Sequence, residues 1–270
     1  MSADSATGAE WRSVTASSPQ HLLSLLRALV VREIKGQYRR SVLGPAWAVL
    51  QPLIYMIIFS FFRGFLNIDS EGIPYAVFTF SALVPWTFFA NAVTRSAPSV
   101  FVNRGVVKKI AVRCEIFPAT AVLTSLVDFA ISFVILAGLM VWFGIVPTWT
   151  VLWIVPLVAL TATFALGLGL LTAAIGTYRQ DVMFGIPFLL QLGLLATPVM
   201  YPASQVPEKW QAFVWLNPMA GIIEGFRGAL LSGTAPDPMQ LGASVVGVAL
   251  VWAVAWPLFR YLSKFFADVL

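Results

Sequence analysis

Uncharged apolar blocks dominate the chain, and their lengths set the first reading. Residues 41–62 carry no charge over 22 positions, 72–94 over 23, 129–178 over 50, 182–207 over 26 and 238–259 over 22. A helix needs about 20 apolar residues to cross a bilayer, because backbone polar groups left unpaired in lipid are too costly. The 50-residue block is too long for one helix and breaks naturally at Gly144 and Pro147. Extended back to Ile116, its first half takes in Asp128, the one carboxylate that this reading sets at mid-membrane. The pattern predicts an all-α integral membrane domain over residues 41–262, with six spans at about 44–65, 73–95, 116–143, 149–176, 183–201 and 238–260. The blocks are continuous and lack the alternation of a transmembrane β-barrel.

Four segments outside the spans have patterns of their own. Over residues 19–40, Leu22, Leu23, Leu25, Leu26, Leu29, Val30 and Ile34 share one half of a helical wheel, and Ser24, Arg27, Arg32 and Lys35 the other. Such an amphipathic helix suits the cytoplasmic headgroup layer, with its basic end free to touch a partner. Residues 95–115 interleave Arg104, Lys108, Lys109 and Arg113 with Val106, Val107, Ile110 and Val112, as a short helix parallel to the membrane would. Residues 178–182 form only a tight turn with Arg179 and Asp181. Residues 198–237 are too apolar for a solvated loop. Asn217-Pro218 reads as a cap followed by proline at the first helical position, and Met219, Ile222, Ile223, Phe226 and Leu230 recur at helical spacing. Two short helices are expected there, dipping back into the membrane as a lid or gate. On the second, Glu224 and Arg227 stand at i, i+3 and are expected to pair.

Composition agrees, and charge adds direction. Hydrophobic residues make up 59% and charged residues 11% of the 270 positions, against about a quarter charged in soluble proteins. With six spans both termini share a side. Assigning them to the cytoplasm puts 14 of the 17 Lys and Arg residues there, leaving only Arg63, Lys209 and Arg227 outside. The positive-inside rule selects that orientation, so the net charge of +5 reads as a topology and membrane-surface signal with no call for nucleic acid. Residues 1–18 are polar and small, the pattern of a disordered cytoplasmic tail and not of a cleavable signal.

The chemistry that is missing narrows the function. With one cysteine (Cys114) and one histidine (His21), no intrachain disulfide can form and a histidine metal site is not expected. The chain carries no P-loop and no zinc-protease or serine-hydrolase motif. An intramembrane sugar transferase would need a carboxylate or histidine cluster at one membrane face. An ion-coupled carrier would need more intramembrane charge than Asp128. Any transport must draw its energy from elsewhere. Phe, Trp and Tyr total 37 residues, which could stack sugar rings or form interface belts.

Several blocks resemble one family. Arg32-Glu33-Ile34-Lys35, Tyr38-Arg39-Arg40, Leu43-Gly44-Pro45, Trp47 and Gln51-Pro52-Leu53 look like the start of the first span in ABC-2 type polysaccharide exporters. Lys108-Lys109, Glu115-Ile116-Phe117-Pro118 and Leu126-Val127-Asp128-Phe129 are similar to their loop and third span. The densest likeness runs through Thr197-Pro198-Val199-Met200-Tyr201-Pro202, Val206-Pro207-Glu208-Lys209-Trp210, Leu216-Asn217-Pro218-Met219-Ala220-Gly221 and Ile223-Glu224-Gly225-Phe226-Arg227. Tyr178-Arg179-Gln180-Asp181 departs from the usual Arg-Tyr-Arg-Asp.

The resemblance, over residues 20–260, implies an O-antigen, capsule or teichoic acid permease in the bacterial inner membrane. It implies a homodimer enclosing a channel and two separate P-loop ATPase subunits, which bind ATP and Mg while this chain holds no cofactor or metal. The ATPase would meet Arg32, Lys35, Arg39 and Arg40 on the 19–40 interface helix and Arg104, Lys108, Lys109 and Arg113 on a coupling helix. Tyr38, Leu43 and Gly44 would lie where the lipid pyrophosphate enters. Tyr201, Trp210, Trp215, Asn217, Pro218, Glu224, Phe226 and Arg227 would belong to two periplasmic gate helices. The cargo would be a polysaccharide on undecaprenyl pyrophosphate, O antigen first; the alternative is an ABC-2 permease for a drug or small lipid.

Overall fold

The structure is a computed structural model that describes residues 19–39, 42–66, 68, 70, 72–108 and 112–270; the tail 1–18, Arg40 and Lys109 lie outside the described residues. Its elements are α1 (Pro19–Arg39), α2 (Ala46–Leu66), α3 (Tyr75–Ser96), the single turns α4 (Ser99–Val102) and α5 (Arg104–Val107), and α6 (Ile116–Trp142). A 3-10 turn (Trp149–Trp153) leads into α7 (Ile154–Tyr178), followed by α8 (Asp181–Ala196), α9 (Glu208–Leu216), α10 (Pro218–Arg227), α11 (Pro238–Leu262) and α12 (Phe266–Val269).

Among the described residues, five helices are long and apolar enough to cross a membrane: Ala46–Phe65, Tyr75–Ser96, Ile116–Trp142, Trp149–Tyr178 and Pro238–Phe265. The remaining apolar helix, α8, has 16 residues, or about 24 Å of rise against a hydrocarbon core of about 30 Å. The span expected to reach residue 201 ends as a helix at Ala196. Thr197 is extended (φ −96°, ψ 143°) because Pro198 follows, and a proline ring crowds the helical conformation of the residue before it.

The 129–178 block breaks where Gly144 supplies a left-handed residue (φ 70°). The Gly144 N–H donates to the Val141 carbonyl at 3.1 Å and the Ile145 N–H to Met140 at 2.8 Å, the paired bonds of a Schellman stop. Gly44 (φ 49°) does similar work between α1 and α2.

The bundle is built around α3. In α3, 83% of the most apolar window is buried, against 11% in α2 and 17% in α11, so α3 is the axis and the other two are outer staves. α3 packs on α2, α6, α7, α8 and α10, and α11 closes on α7 and α10. α1 is seated on α6. Its Leu29 is buried, with Leu25 and Leu26 beside it, among Val100, Cys114, Phe117, Leu170, Phe259 and Phe266. The apolar side that suits a headgroup layer is thus partly covered here by protein, while Leu23 stays exposed. The 95–115 segment is two single turns in place of one short helix. Asn103 sits at the break and its Nδ2 donates to the Ser99 carbonyl at 2.8 Å, a local side-chain bond that competes with helix continuation.

Candidate functional site

At one end of the bundle the chain leaves α8 and crosses to α9 through the non-helical residues 197–202. Every carbonyl from 198 to 201 accepts a side-chain hydrogen bond. Arg227 Nη1 donates to Pro198 at 2.7 Å and to Tyr201 at 3.2 Å, and Nη2 to Val199 at 2.6 Å. Tyr75 Oη on α3 donates to Met200 at 2.9 Å. Glu224 Oε1 accepts from Arg227 Nη1 at 2.9 Å and from the Ala203 N–H at 3.3 Å. Buried irregular backbone is tolerated only where protein or water satisfies it, and here two side chains of the bundle take all four carbonyls.

α10 positions these groups. Asn217 Oδ1 accepts the Met219 N–H at 3.0 Å and caps the helix, with Pro218 at its first position. The Asn217 Nδ2 donates to Thr197 Oγ1 at 2.8 Å, so the cap also holds the turn. Met219, Ile222, Ile223 and Phe226 are fully buried at helical spacing and turn Arg227, itself only 4% exposed, toward the turn. The guanidinium lies 3.8 Å from the Phe78 ring centroid on α3. Beyond Arg227 the helix widens into a π turn (Gly228–Ser232), whose Ala229 carbonyl accepts from Thr150 Oγ1 at 2.8 Å.

Sequence spacing finds the Glu224–Arg227 pair but not its place. The ion pair is one bond among four that Arg227 makes to this region. Of the other expected gate residues, Tyr201 is half-buried with Oη on the Leu195 carbonyl at 3.4 Å, Trp215 is half-buried and Trp210 is exposed on α9 beside Phe213. A cavity of about 240 Å³ opens beside Arg227, with Glu224, Ser232, Thr234, Asp237 and Gln240 in its wall.

Asp128 does not stand alone. It is 5% exposed on α6, and its Oδ2 accepts from Arg95 Nη2 at 2.7 Å and Gln37 Nε2 at 3.4 Å, while Oδ1 accepts from the Tyr38 hydroxyl. The expectation of a nearly isolated carboxylate fails because Arg95, counted with the loop, belongs to the last turn of α3 and points inward. Burial, and then the Asp128 bond and charge, push the Tyr38 phenol above its ordinary pKa, so it stays a donor. Thr124 and Ser132, one turn either side, take no part; Ser132 Oγ donates to the Ala48 carbonyl at 2.8 Å and ties α6 to α2.

The same end carries the basic segments. Arg32, Lys35, Arg39, Arg104, Lys108 and Arg113 are exposed. Arg32 Nη2 reaches Asn103 Oδ1 at 2.6 Å, joining α1 to the 95–115 segment across 71 residues of sequence. Arg104 stacks 4.7 Å from the Phe101 ring centroid and Val102 is exposed, so cations and apolar side chains are mixed on this face. Leu43 is exposed and Gly44 buried at the adjoining turn. Among the described residues no cluster of His, Cys, Asp and Glu could hold a metal.

Fold and geometry define a multi-pass helical membrane protein with an exposed basic face at one end and a side-chain-locked turn at the other. The sequence profile of the family described as ABC-2 type transporter matches residues 24–231, and the chain belongs to that family. It is 31% identical over 235 residues to the O-antigen export system permease protein RfbA of Myxococcus xanthus, covering 86% of this chain and 90% of that one. It is 26% identical over 252 residues to the protein of the same name from Klebsiella pneumoniae (93% and 96% covered). To the polysialic acid transport protein KpsM of Escherichia coli it is 23% identical over 248 residues (87% and 92% covered).

Arg227→Ala is expected to cost about 3–5 kcal/mol, the range for stripping one partner from a buried charged contact. Glu224→Gln, which keeps an acceptor oxygen, should cost about 1 kcal/mol. The swap Glu224→Arg with Arg227→Glu should rescue nothing, because a carboxylate at 227 would face carbonyl oxygens. Thermal unfolding of the detergent-purified variants measures this, and recovery by the swap would reduce Arg227 to a simple ion-pair partner.

At the other end, Asp128→Leu should destabilise by about 2–4 kcal/mol, below the fully buried limit because Arg95 is 26% exposed. Asp128→Asn should cost less, since it still accepts from Tyr38. Combining Asp128→Leu, which removes the acceptor, with Tyr38→Phe should cost less than the sum of the two. Strict additivity in the same unfolding measurement would mean that the Tyr38 bond contributes nothing.

Proposed function

We propose that the chain is the permease subunit of an exporter that carries undecaprenyl-linked cell-surface polysaccharide, O antigen foremost, outward across the bacterial cytoplasmic membrane. The observation that carries this reading is the end-to-end likeness to an O-antigen export permease, which spans 90% of that protein. The geometry supports it in three places. The exposed basic face of α1 and the 95–115 segment offers cations and apolar contacts to a separate ATP-hydrolysing subunit, which would bind ATP and Mg. The turn held by Arg227, with α9 and α10, is a rigid cover over the opposite end, the property a gate needs when it must open only on demand. The cavity beside Arg227, lined by Glu224, Asp237, Gln240, Ser232 and Thr234, offers the carboxylates, amide and hydroxyls that bind sugar hydroxyls.

Two further elements complete the reading. α8 and the turn after it together make the sixth crossing, so both termini face the cytoplasm with the basic end, as the positive-inside rule requires. The outward faces of α2 (Ile57, Phe61, Phe65) and α8 (Phe184, Phe188, Leu189) are apolar and exposed. A second copy of the chain would cover them and close a channel between the two subunits.

In the parent bacterium, loss of this chain should remove long glycan from the cell surface while lipid-linked glycan accumulates inside. The chain should copurify with a P-loop ATPase, and Arg104→Glu with Lys108→Glu should weaken that association roughly ten-fold or more. Unchanged surface glycan with a fall in drug or lipid efflux would replace polysaccharide by a small cargo.

Sidedness is read in a Cys114→Ser background. Cysteine at Thr148 or Ser204 should react with an impermeant thiol reagent in intact cells, and cysteine at Gln180 only after the membrane is opened. The reverse pattern would invert the orientation.

A further inference from the structure

Between α1 and the end of the bundle lies a cavity of about 140 Å³ that the transport reading does not use. Its polar wall is Arg32 and Glu33 from α1, Arg95 from α3, Ser99 and Asn103 from the α4 turn, and Thr120 from α6. A single water needs about 10–15 Å³, so the space exceeds what one water would fill. Two of its wall atoms, Arg95 Nη1 and Ser99 Oγ, are buried and have no hydrogen-bond partner among the described residues. Ser99 as a whole is 9% exposed. Buried donors are almost always satisfied, and an orphaned pair facing one cavity calls for an acceptor inside it.

The neighbouring bonds identify that acceptor. Arg95 is already tied through Nη2 to Asp128, which fixes the guanidinium and leaves its other nitrogen directed away from that carboxylate. Asn103 is spent at both ends, on Arg32 and on the Ser99 carbonyl. Thr120 Oγ1 donates to the Ile116 carbonyl at 2.7 Å. Of the two guanidinium groups on the wall, Arg95 already shares its charge with Asp128, so what the wall has in excess is donors: Arg95 Nη1, Ser99 Oγ and the Arg32 guanidinium against one carboxylate, Glu33. That excess of donors matches an oxyanion, which accepts from several at once. Arg95 and Ser99 stand at the end of the span Tyr75–Ser96, which is headgroup depth, where the abundant singly charged oxyanion is a phosphodiester.

We propose that this cavity binds one phosphodiester anion, the headgroup phosphate of an anionic phospholipid, held by Arg95, Ser99 and Arg32. The phosphate accepts from Arg95 Nη1 and Ser99 Oγ on the bundle side and from Arg32 on the α1 side, so it bridges α1 to α3 and α4. The lipid thereby acts as a pin under the amphipathic helix. Its anionic oxygens supply what Arg95 and Ser99 lack. Glu33, on the same wall, sets the limit on affinity.

The test is native mass spectrometry of the full chain, purified, delipidated and titrated with phosphatidylglycerol. Tight retention of the first lipid should fall roughly ten-fold in Ser99→Val, which narrows the cavity and removes a charge-assisted bond. Glu33→Gln lies on the exposed side of α1 and should raise retention several-fold by removing the opposing charge, which keeps the test open if Ser99→Val misfolds. Diacylglycerol, with the same chains and no phosphate, should not be retained. If millimolar inorganic phosphate displaces the lipid, the site stands and its ligand is the free anion. Equal retention of phosphatidylglycerol by wild type and Glu33→Gln, or of diacylglycerol and phosphatidylglycerol by wild type, would overturn the proposal.

Discussion

The guanidinium of Arg227 is the interaction on which one whole end of the molecule depends. A backbone carbonyl buried away from water must find a donor in the protein, and each one left alone costs on the order of 1–3 kcal/mol. The chain between α8 and α9 leaves four such carbonyls in a row. Helix formation cannot satisfy them, because Pro198 and Pro202 interrupt the ladder. Arg227 supplies several donors in a fixed planar fork, and Phe78 below it supplies a π face at 3.8 Å. Lysine could not do the same from one nitrogen. The consequence is that α10 must be buried to carry Arg227 inward, which is why its apolar residues run round most of the helix.

A second arginine works by a different rule at the opposite end. Arg95 meets a carboxylate, Asp128, and the pair is completed by Tyr38 and Gln37 from α1. Its desolvation is partial, so its worth lies in geometry as much as in energy. The cluster attaches α1 to the bundle a few residues before the Gly44 turn, and so fixes where the chain begins its first crossing. The Arg32–Asn103 bond attaches the same helix further out. Between these two attachments lies the cavity with orphaned donors.

Much of this was legible in the sequence, for identifiable reasons. Apolar block lengths and the Gly144 break are local properties, and they gave the presence and order of the long apolar helices α2, α3, α6, α7 and α11. Asn217-Pro218 gave the start of α10 because capping is written within three residues. The spacing of Glu224 and Arg227 gave their contact. It could not give the Pro198, Val199 and Tyr201 carbonyls, because those partners lie 26 to 29 residues away and are backbone, without a side-chain signature. The same limit hid the Asp128 cluster. Arg95 ends one helix, Asp128 is mid-way along another and Tyr38 ends a third, and only tertiary packing brings them together. The α8 boundary was misjudged for a local reason: apolar composition continues past Thr197, but Pro198 stops the helix.

Both arginine sites touch one element. At one end of α3, Tyr75 donates to the turn and Phe78 underlies Arg227; at the other, Arg95 holds Asp128. α3 is also the most buried of the five long helices, so its ends cannot move independently by sliding through lipid. A 22-residue helix spans about 33 Å, and along that length it has one interruption, Pro85. There the ladder loses a donor, and the Ser81 carbonyl is left without its usual partner. A force on the basic end therefore has two mechanical outlets. Either α3 tilts as a rod, and the Tyr75 and Arg227 contacts shift together, or it bends at Pro85 and the turn is spared. Tilting is resisted by five packed neighbours, whereas bending at a proline opens no intact hydrogen bond. What separates the outlets is whether the Tyr75–Met200 bond survives when the Asp128 cluster is displaced, because that bond joins the axis to the turn directly and without an intervening helix.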